Sequence, residues 1–106
     1  MPTPTADPIL TRFRAALGDV YGARLERVML YGSRARGNAT PDSDYDVAVF
    51  LRDMADRAQE LNRLADISTN ILYEVGGCIH AMPYRAGAYS ERTPLMHEIR
   101  ADGIDL

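Results

Sequence analysis

Residues 29–51 read MLYGSRARGNATPDSDYDVAVFL. An apolar run ends at Tyr31, and Gly32 and Ser33 follow it. Ten residues later Asp44 and Asp46 stand one residue apart, ahead of a second apolar run, Val47 to Leu51. Strand side chains alternate between faces, so Asp44 and Asp46 share a face about 6.5–7 Å apart. Two ionised carboxylates so placed repel each other unless a cation lies between them. Hard oxygen ligands suit Mg²⁺, which keeps several waters and takes the rest of its shell from phosphates. Glycine after a strand lets backbone approach a bulky ligand or take a positive φ. Ser33 can then cap a short turn whose free N–H groups face an anion, and Arg34 and Arg36 add positive charge. One strand end thus offers groups for an anion, and the next offers groups for a cation. A nucleoside triphosphate carrying Mg²⁺ needs both.

Working outward, Asp7-Pro8 is a helix start, with Asp7 as the cap and proline in the first turn. Ile9, Leu10, Phe13, Ala16, Leu17, Val20 and Tyr21 repeat at helical spacing and stop near Gly22. Arg27 to Tyr31 is the first strand, Ser33 to Gly37 a short helix, and Asn38 to Ser43, with Pro41, a loop. The second strand spans Asp44 to Leu51. Ala55 to Val75 carries Leu61, Leu64, Ala65, Ile67, Ile71 and Leu72 at helical spacing, and Gly76-Gly77 ends it. Cys78 to Tyr84 is a third strand, with Cys78 expected as a small core residue. Thr93-Pro94 opens a last helix that Gly103 closes. Residues 1–6, rich in Pro and Thr, are expected to be flexible, and 7–106 to form one domain. The order predicts an α/β (α+β) fold, a small mixed sheet of three or more strands with helices packed on it.

Composition narrows the function. The chain has 106 residues, 46% apolar and 25% charged, with net charge −3, an ordinary globular balance without the basic excess that binds nucleic acid. All twelve basic residues are arginine. That excludes a phosphate-loop lysine and a Schiff-base lysine. The one cysteine, Cys78, has no internal disulfide partner, which fits a reducing compartment. There is no apolar run of membrane-spanning length, and Met1-Pro2-Thr3-Pro4 is unlike a signal peptide. These features set the expectation of a soluble, cytoplasmic protein with no membrane contact.

Gly32-Ser33, ten residues, then Asp44-Tyr45-Asp46 resembles the Gly-Ser-x10-Asp-x-Asp signature of the polymerase-β-like nucleotidyltransferases. The longer string YGSRARGNATPDSDYDVAVF is similar to the minimal nucleotidyltransferases of prokaryotes, which are paired with HEPN-domain toxins. The resemblance implies a role for each matched position. Gly32 and Ser33, with Arg34 and Arg36 beside them, would hold the nucleotide's phosphates. Asp44 and Asp46 would be both the metal ligands for Mg²⁺ and the catalytic carboxylates. It further implies ATP as substrate, transfer of AMP to a tyrosine of a HEPN toxin, and a role as that toxin's antitoxin in a hetero-oligomer. Full members carry a third carboxylate on the next strand. Here CIHAMPY contains none, and His80 is its nearest polar substitute, an auxiliary group. Two alternatives accompany this reading: a nucleotide-binding module that neutralises the partner by binding alone, and an aminoglycoside-type adenylyltransferase.

Overall fold

The structure is a computed structural model that describes residues 7–106; the segment 1–6, expected to be flexible, lies outside the described residues. The elements are α1 (Pro8–Tyr21), β1 (Leu25–Tyr31), α2 (Ser33–Arg36), β2 (Tyr45–Leu51), α3 (Arg57–Val75), β3 (Ile79–Arg85), α4 (Pro94–Asp102) and β4 (Ile104–Asp105). Single 3₁₀ turns occupy Gly22–Arg24 and Ala86–Ser90. The strands form one mixed sheet in the order β3-β2-β1-β4. β1 runs antiparallel to β2 and β4, and β2 runs parallel to β3. The expected α/β class and mixed sheet are present.

The helix caps follow local chemistry. Asp7 accepts a hydrogen bond from the Ile9 amide at 2.8 Å, Asp56 caps α3 through Gln59 at 3.2 Å, and Thr93 caps α4 through Met96 at 3.1 Å. β2 is central and apolar on both faces, so it must be covered twice. On one face α1 and α3 bury Leu10, Phe13, Leu17, Leu64, Ile67 and Ile71 against Val47, Val49 and Leu51. On the other, Met96 and Ile99 of α4 pack with Met29, Ala48 and Phe50. Phe50 lies 5.7 Å from the Tyr84 ring and 5.6 Å, edge-on, from Tyr89, separations typical of favourable aromatic pairs.

One charge is deeply buried in the first layer. Glu60 is 2% exposed. Its carboxylate accepts from Arg24 Nη2 at 2.8 Å and Arg63 Nη1 at 2.5 Å, so the ion is paired rather than stranded. Arg24 also donates through Nε to Asp53 at 2.5 Å. This network fastens the start of α3 to the 3₁₀ turn that leads into β1.

Several features differ from the sequence expectations: β2 begins at Tyr45 rather than Asp44, α3 at Arg57 rather than Ala55, and β3 spans Ile79–Arg85 rather than Cys78 to Tyr84. β4 was not foreseen, because two residues give no alternation to read; it pairs with Met29 and Leu30. β1 begins two residues earlier than expected, at Leu25. Cys78 is exposed rather than in the core: it lies just ahead of β3, the edge strand of the sheet. Among the described residues no helix is long and apolar enough to cross a membrane.

Candidate active site

The expected site residues converge where β1 ends and β2 begins. Tyr31, the last residue of β1, is in register with Asp46, and Asp46 is in register with His80 of β3. Tyr31, Asp46 and His80 therefore form a row across three strands on the face that carries α4. Tyr45, between the two aspartates, points the other way. It is 4% exposed, and its hydroxyl donates to Asp7 Oδ2 at 2.6 Å. Burial, and then that bond to Asp7, push the Tyr45 phenol up to about 12. With Tyr45 fixed inward, strand alternation sends Asp46 to the opposite face, while Asp44 lies just ahead of β2, which begins at Tyr45 rather than at Asp44 as expected. Tyr45 is thus a packing anchor.

Gly32 is bound to this spot by geometry. Its φ is +76°, and a Cβ added there would lie 2.5 Å from Asp46 Oδ2. Backbone and carboxylate are in contact, and only glycine permits it. Gly32 caps α2 without a side-chain hydrogen bond, and its carbonyl accepts from the Ala35 and Arg36 amides, both at 3.1 Å. The Ser33 hydroxyl heads this turn with no hydrogen bond to any other described residue. An anion at the turn would therefore sit beside Asp46.

The arginines are deployed differently from each other. Arg34 donates to the Ser43 carbonyl from Nε at 2.9 Å and Nη2 at 2.7 Å, and its guanidinium lies 3.9 Å over the Tyr45 ring. It fastens the 38–43 loop and so fixes where Asp44 begins. Arg36 reaches α4, where Nη1 lies 3.4 Å from Glu98 Oε1 in a half-exposed pair. Arg34→Ala should therefore speed amide hydrogen exchange across residues 38–46 and destabilise the fold by about 1–2 kcal/mol; unchanged exchange there would remove the anchoring role.

His80 is 65% exposed on its side chain, and its Nδ1 stands 3.7 Å from Asp46 Oδ1, beyond hydrogen-bond length. Asp44 is exposed and hydrogen-bonds the Cys78 thiol; burial and then this carboxylate push the thiol pKa up, so Cys78 is a poor nucleophile. Tyr31 and Glu98 adjoin the site too. Burial, then Tyr84, Asp46 and Glu98, push the Tyr31 phenol up to about 12. Sequence reasoning did not find Glu98: nothing local on a helix more than fifty residues downstream signals it.

Asp44 and Asp46 offer the hard oxygen donors that a divalent ion such as Mg²⁺ takes, and Asp46 stands against the Gly32-Ser33 turn. Among the described residues no three Asp, Glu, His or Cys side chains converge tightly enough to hold an ion alone.

A sheet whose adjacent strand ends carry a Gly-Ser turn and an Asp-x-Asp pair defines a nucleotidyltransferase. The family model "Polymerase beta, Nucleotidyltransferase" matches residues 22–79, and the chain belongs to that family. A Methanocaldococcus jannaschii protein provisionally named a protein adenylyltransferase is 24% identical over 98 residues, which is 92% of this chain and 95% of that one. Among solved structures, a toxin–antitoxin with AMP-PNP superposes with TM-score 0.66 at 19% identity, over 90% of this chain and 69% of that one. A tri-AMPylated Shewanella oneidensis HEPN toxin in complex with MNT antitoxin gives 0.55 at 14% identity, over 92% and 70%.

Proposed function

We propose that this protein transfers AMP from ATP to a tyrosine of a HEPN-domain partner and thereby acts as its antitoxin. The observation that carries the reading is the contact of Gly32 with Asp46, which joins a phosphate-binding turn to a metal-binding carboxylate. The names of the relatives supply the substrate and partner classes: adenylyl transfer to protein, a nucleotide analogue in a toxin–antitoxin, and an AMPylated HEPN toxin.

In this reading Gly32 and Ser33 bind the β- and γ-phosphates, which aims the α-phosphorus outward for the acceptor. Asp44 and Asp46 would hold Mg²⁺. When bound, the ion neutralises phosphate charge and polarises the reacting phosphoryl oxygens. The acceptor hydroxyl gives its proton to water, its oxygen bonds to the α-phosphorus, the bond from that phosphorus to the bridging oxygen breaks, and pyrophosphate leaves with the electron pair. A phenol, with a pKa of about 10, gives up its proton far more readily than an aliphatic hydroxyl. A site without a third carboxylate is suited to such an acceptor. The partner supplies the positioning, and transfer to free small molecules should be slow without it.

The test is to incubate the protein with ATP, Mg²⁺ and the HEPN partner, and to map added mass by peptide mass spectrometry. AMP on tyrosine is expected. AMP on serine, or on a free aminoglycoside, would overturn the acceptor assignment; a neutralised toxin with no added mass would establish binding alone. Ser33→Ala should weaken ATP binding by about 0.5–1.5 kcal/mol, or by up to about 3 if the lost hydrogen bond is charge-assisted. Unchanged affinity in calorimetry would remove that hydroxyl from the site.

A further inference from the structure

We infer that the chain carries a second anion site, separate from the Asp44–Asp46 strand end, in a cleft beside α4 that holds the phosphate chain of a small polyphosphorylated molecule. The cleft has a volume of about 510 Å³ and is lined by Arg92, Thr93, Pro94, His97 and Arg100, a size that suits a small ligand. Two guanidinium groups and an imidazole line it, and no carboxylate does. Arg100 is held in place, because its Nη1 donates to the carbonyls of Tyr89 at 2.6 Å and Glu91 at 2.9 Å. Its Nε and Nη2 bond no described residue. The side chains of Arg92 and His97 make no hydrogen bond, ion pair or ring contact with a described residue. Other arginines are spent on protein groups: Arg24 and Arg63 on Glu60, Arg52 on Glu26, and Arg34 on the Ser43 carbonyl. In a chain of net charge −3, this cluster of cations lacks an internal counter-charge, and an anion relieves its mutual repulsion.

The chemistry selects the ligand. The planar arginine fork matches phosphate oxygens and binds them through charge-assisted hydrogen bonds. Donors on three sides of one cleft match several phosphates carried close together. The nearby ring that could stack a base is already taken: Tyr89 has the Arg27 guanidinium 4.0 Å over its face and Phe50 edge-on at 5.6 Å. The phosphates, rather than a base, are therefore what the cleft recognises. Glu91, Glu98 and Asp102 flank the basic residues in sequence, so no basic track continues outward for an extended nucleic acid. Side chains and not the helix end carry the site, since the Thr93 hydroxyl is used by the Met96 amide and Pro94 has no N–H. Glu98, which reaches Arg36 on the active-site side, lies about 100° and 160° around α4 from His97 and Arg100. The two sites therefore occupy different flanks of this helix.

The experiment titrates the full ¹⁵N-labelled chain with sodium tripolyphosphate, in EDTA and at constant ionic strength, and follows the amide resonances. Without a divalent ion, Asp44 and Asp46 repel the same anion from the active site. Expected are saturable shifts centred on residues 91–100, with ATP binding there no more tightly than tripolyphosphate. In Arg92→Gln the affinity should fall by at least about tenfold, and in Arg92→Gln/His97→Gln the saturable shifts should vanish. Ser33→Ala should leave them unchanged. Shifts centred on residues 32–46, or shifts at 91–100 that sodium chloride reproduces, would overturn the inference and leave the nucleotidyl-transfer reading intact. A single-stranded RNA oligonucleotide that binds the cleft more tightly than tripolyphosphate would overturn the assignment to a small ligand.

Discussion

Asp46→Asn is expected to abolish adenylyl transfer, by at least about a thousandfold, while leaving the fold intact. Asp46 lies between Tyr31 and His80 in the three-strand row and touches Gly32. Replacing its carboxylate with an amide keeps the shape and removes the anionic ligand. Loss of metal-assisted charge stabilisation is worth several kcal/mol, and about 4 kcal/mol corresponds to a thousandfold in rate. Stability should hold or rise slightly, because the substitution relieves repulsion with Asp44. Transfer rate and thermal melting measured on one preparation separate the two effects. A mutant that loses cooperative unfolding would mark the pair as structural; one that retains metal-dependent transfer would remove Asp46 from catalysis.

Gly32→Val is the second large effect, and it acts through the backbone. A non-glycine residue at φ +76°, ψ −157° sits in a region essentially confined to glycine, which costs about 1–3 kcal/mol. Its Cβ would also stand 2.5 Å from Asp46 Oδ2, so the carboxylate must swing away. Displacing a reacting group by about 1 Å can cost a hundredfold in rate. The expected result is a destabilisation of about 2–3 kcal/mol together with at least a hundredfold loss of transfer. Gly37→Ala is the control. Its φ is +80° and ψ 15°, the left-handed α region, and nothing lies within 4 Å of an added Cβ, so it should incur only the milder left-handed cost of about 1–2 kcal/mol and keep its activity. Equal activity losses in the two variants would show that backbone strain, rather than collision with Asp46, governs the site.

The sequence by itself determined the helices, three of the four strands and the motif. Asp7-Pro8, Gly76-Gly77 and Thr93-Pro94 are local signals, each read from residues a few positions apart, and the helices begin and end there. Asp-x-Asp read as strand sends two carboxylates to one face, although the strand as folded begins at Tyr45 and leaves Asp44 just ahead of it. The family followed from the same spacing. Tertiary structure decided what touches what. Arg34 and Arg36 read alike in sequence, yet one turns back onto the 38–43 loop and the other crosses to Glu98, because their environments come from different elements. Cys78 read as core from its apolar neighbours and is exposed, since a strand edge has a covered side and an open side that composition cannot distinguish. The contact of Gly32 with Asp46 and the register of Asp46 with His80 depend on pairing between strands separated by loops and a nineteen-residue helix. Such pairing is set by the burial of both faces of β2, a property of the whole core rather than of any local stretch.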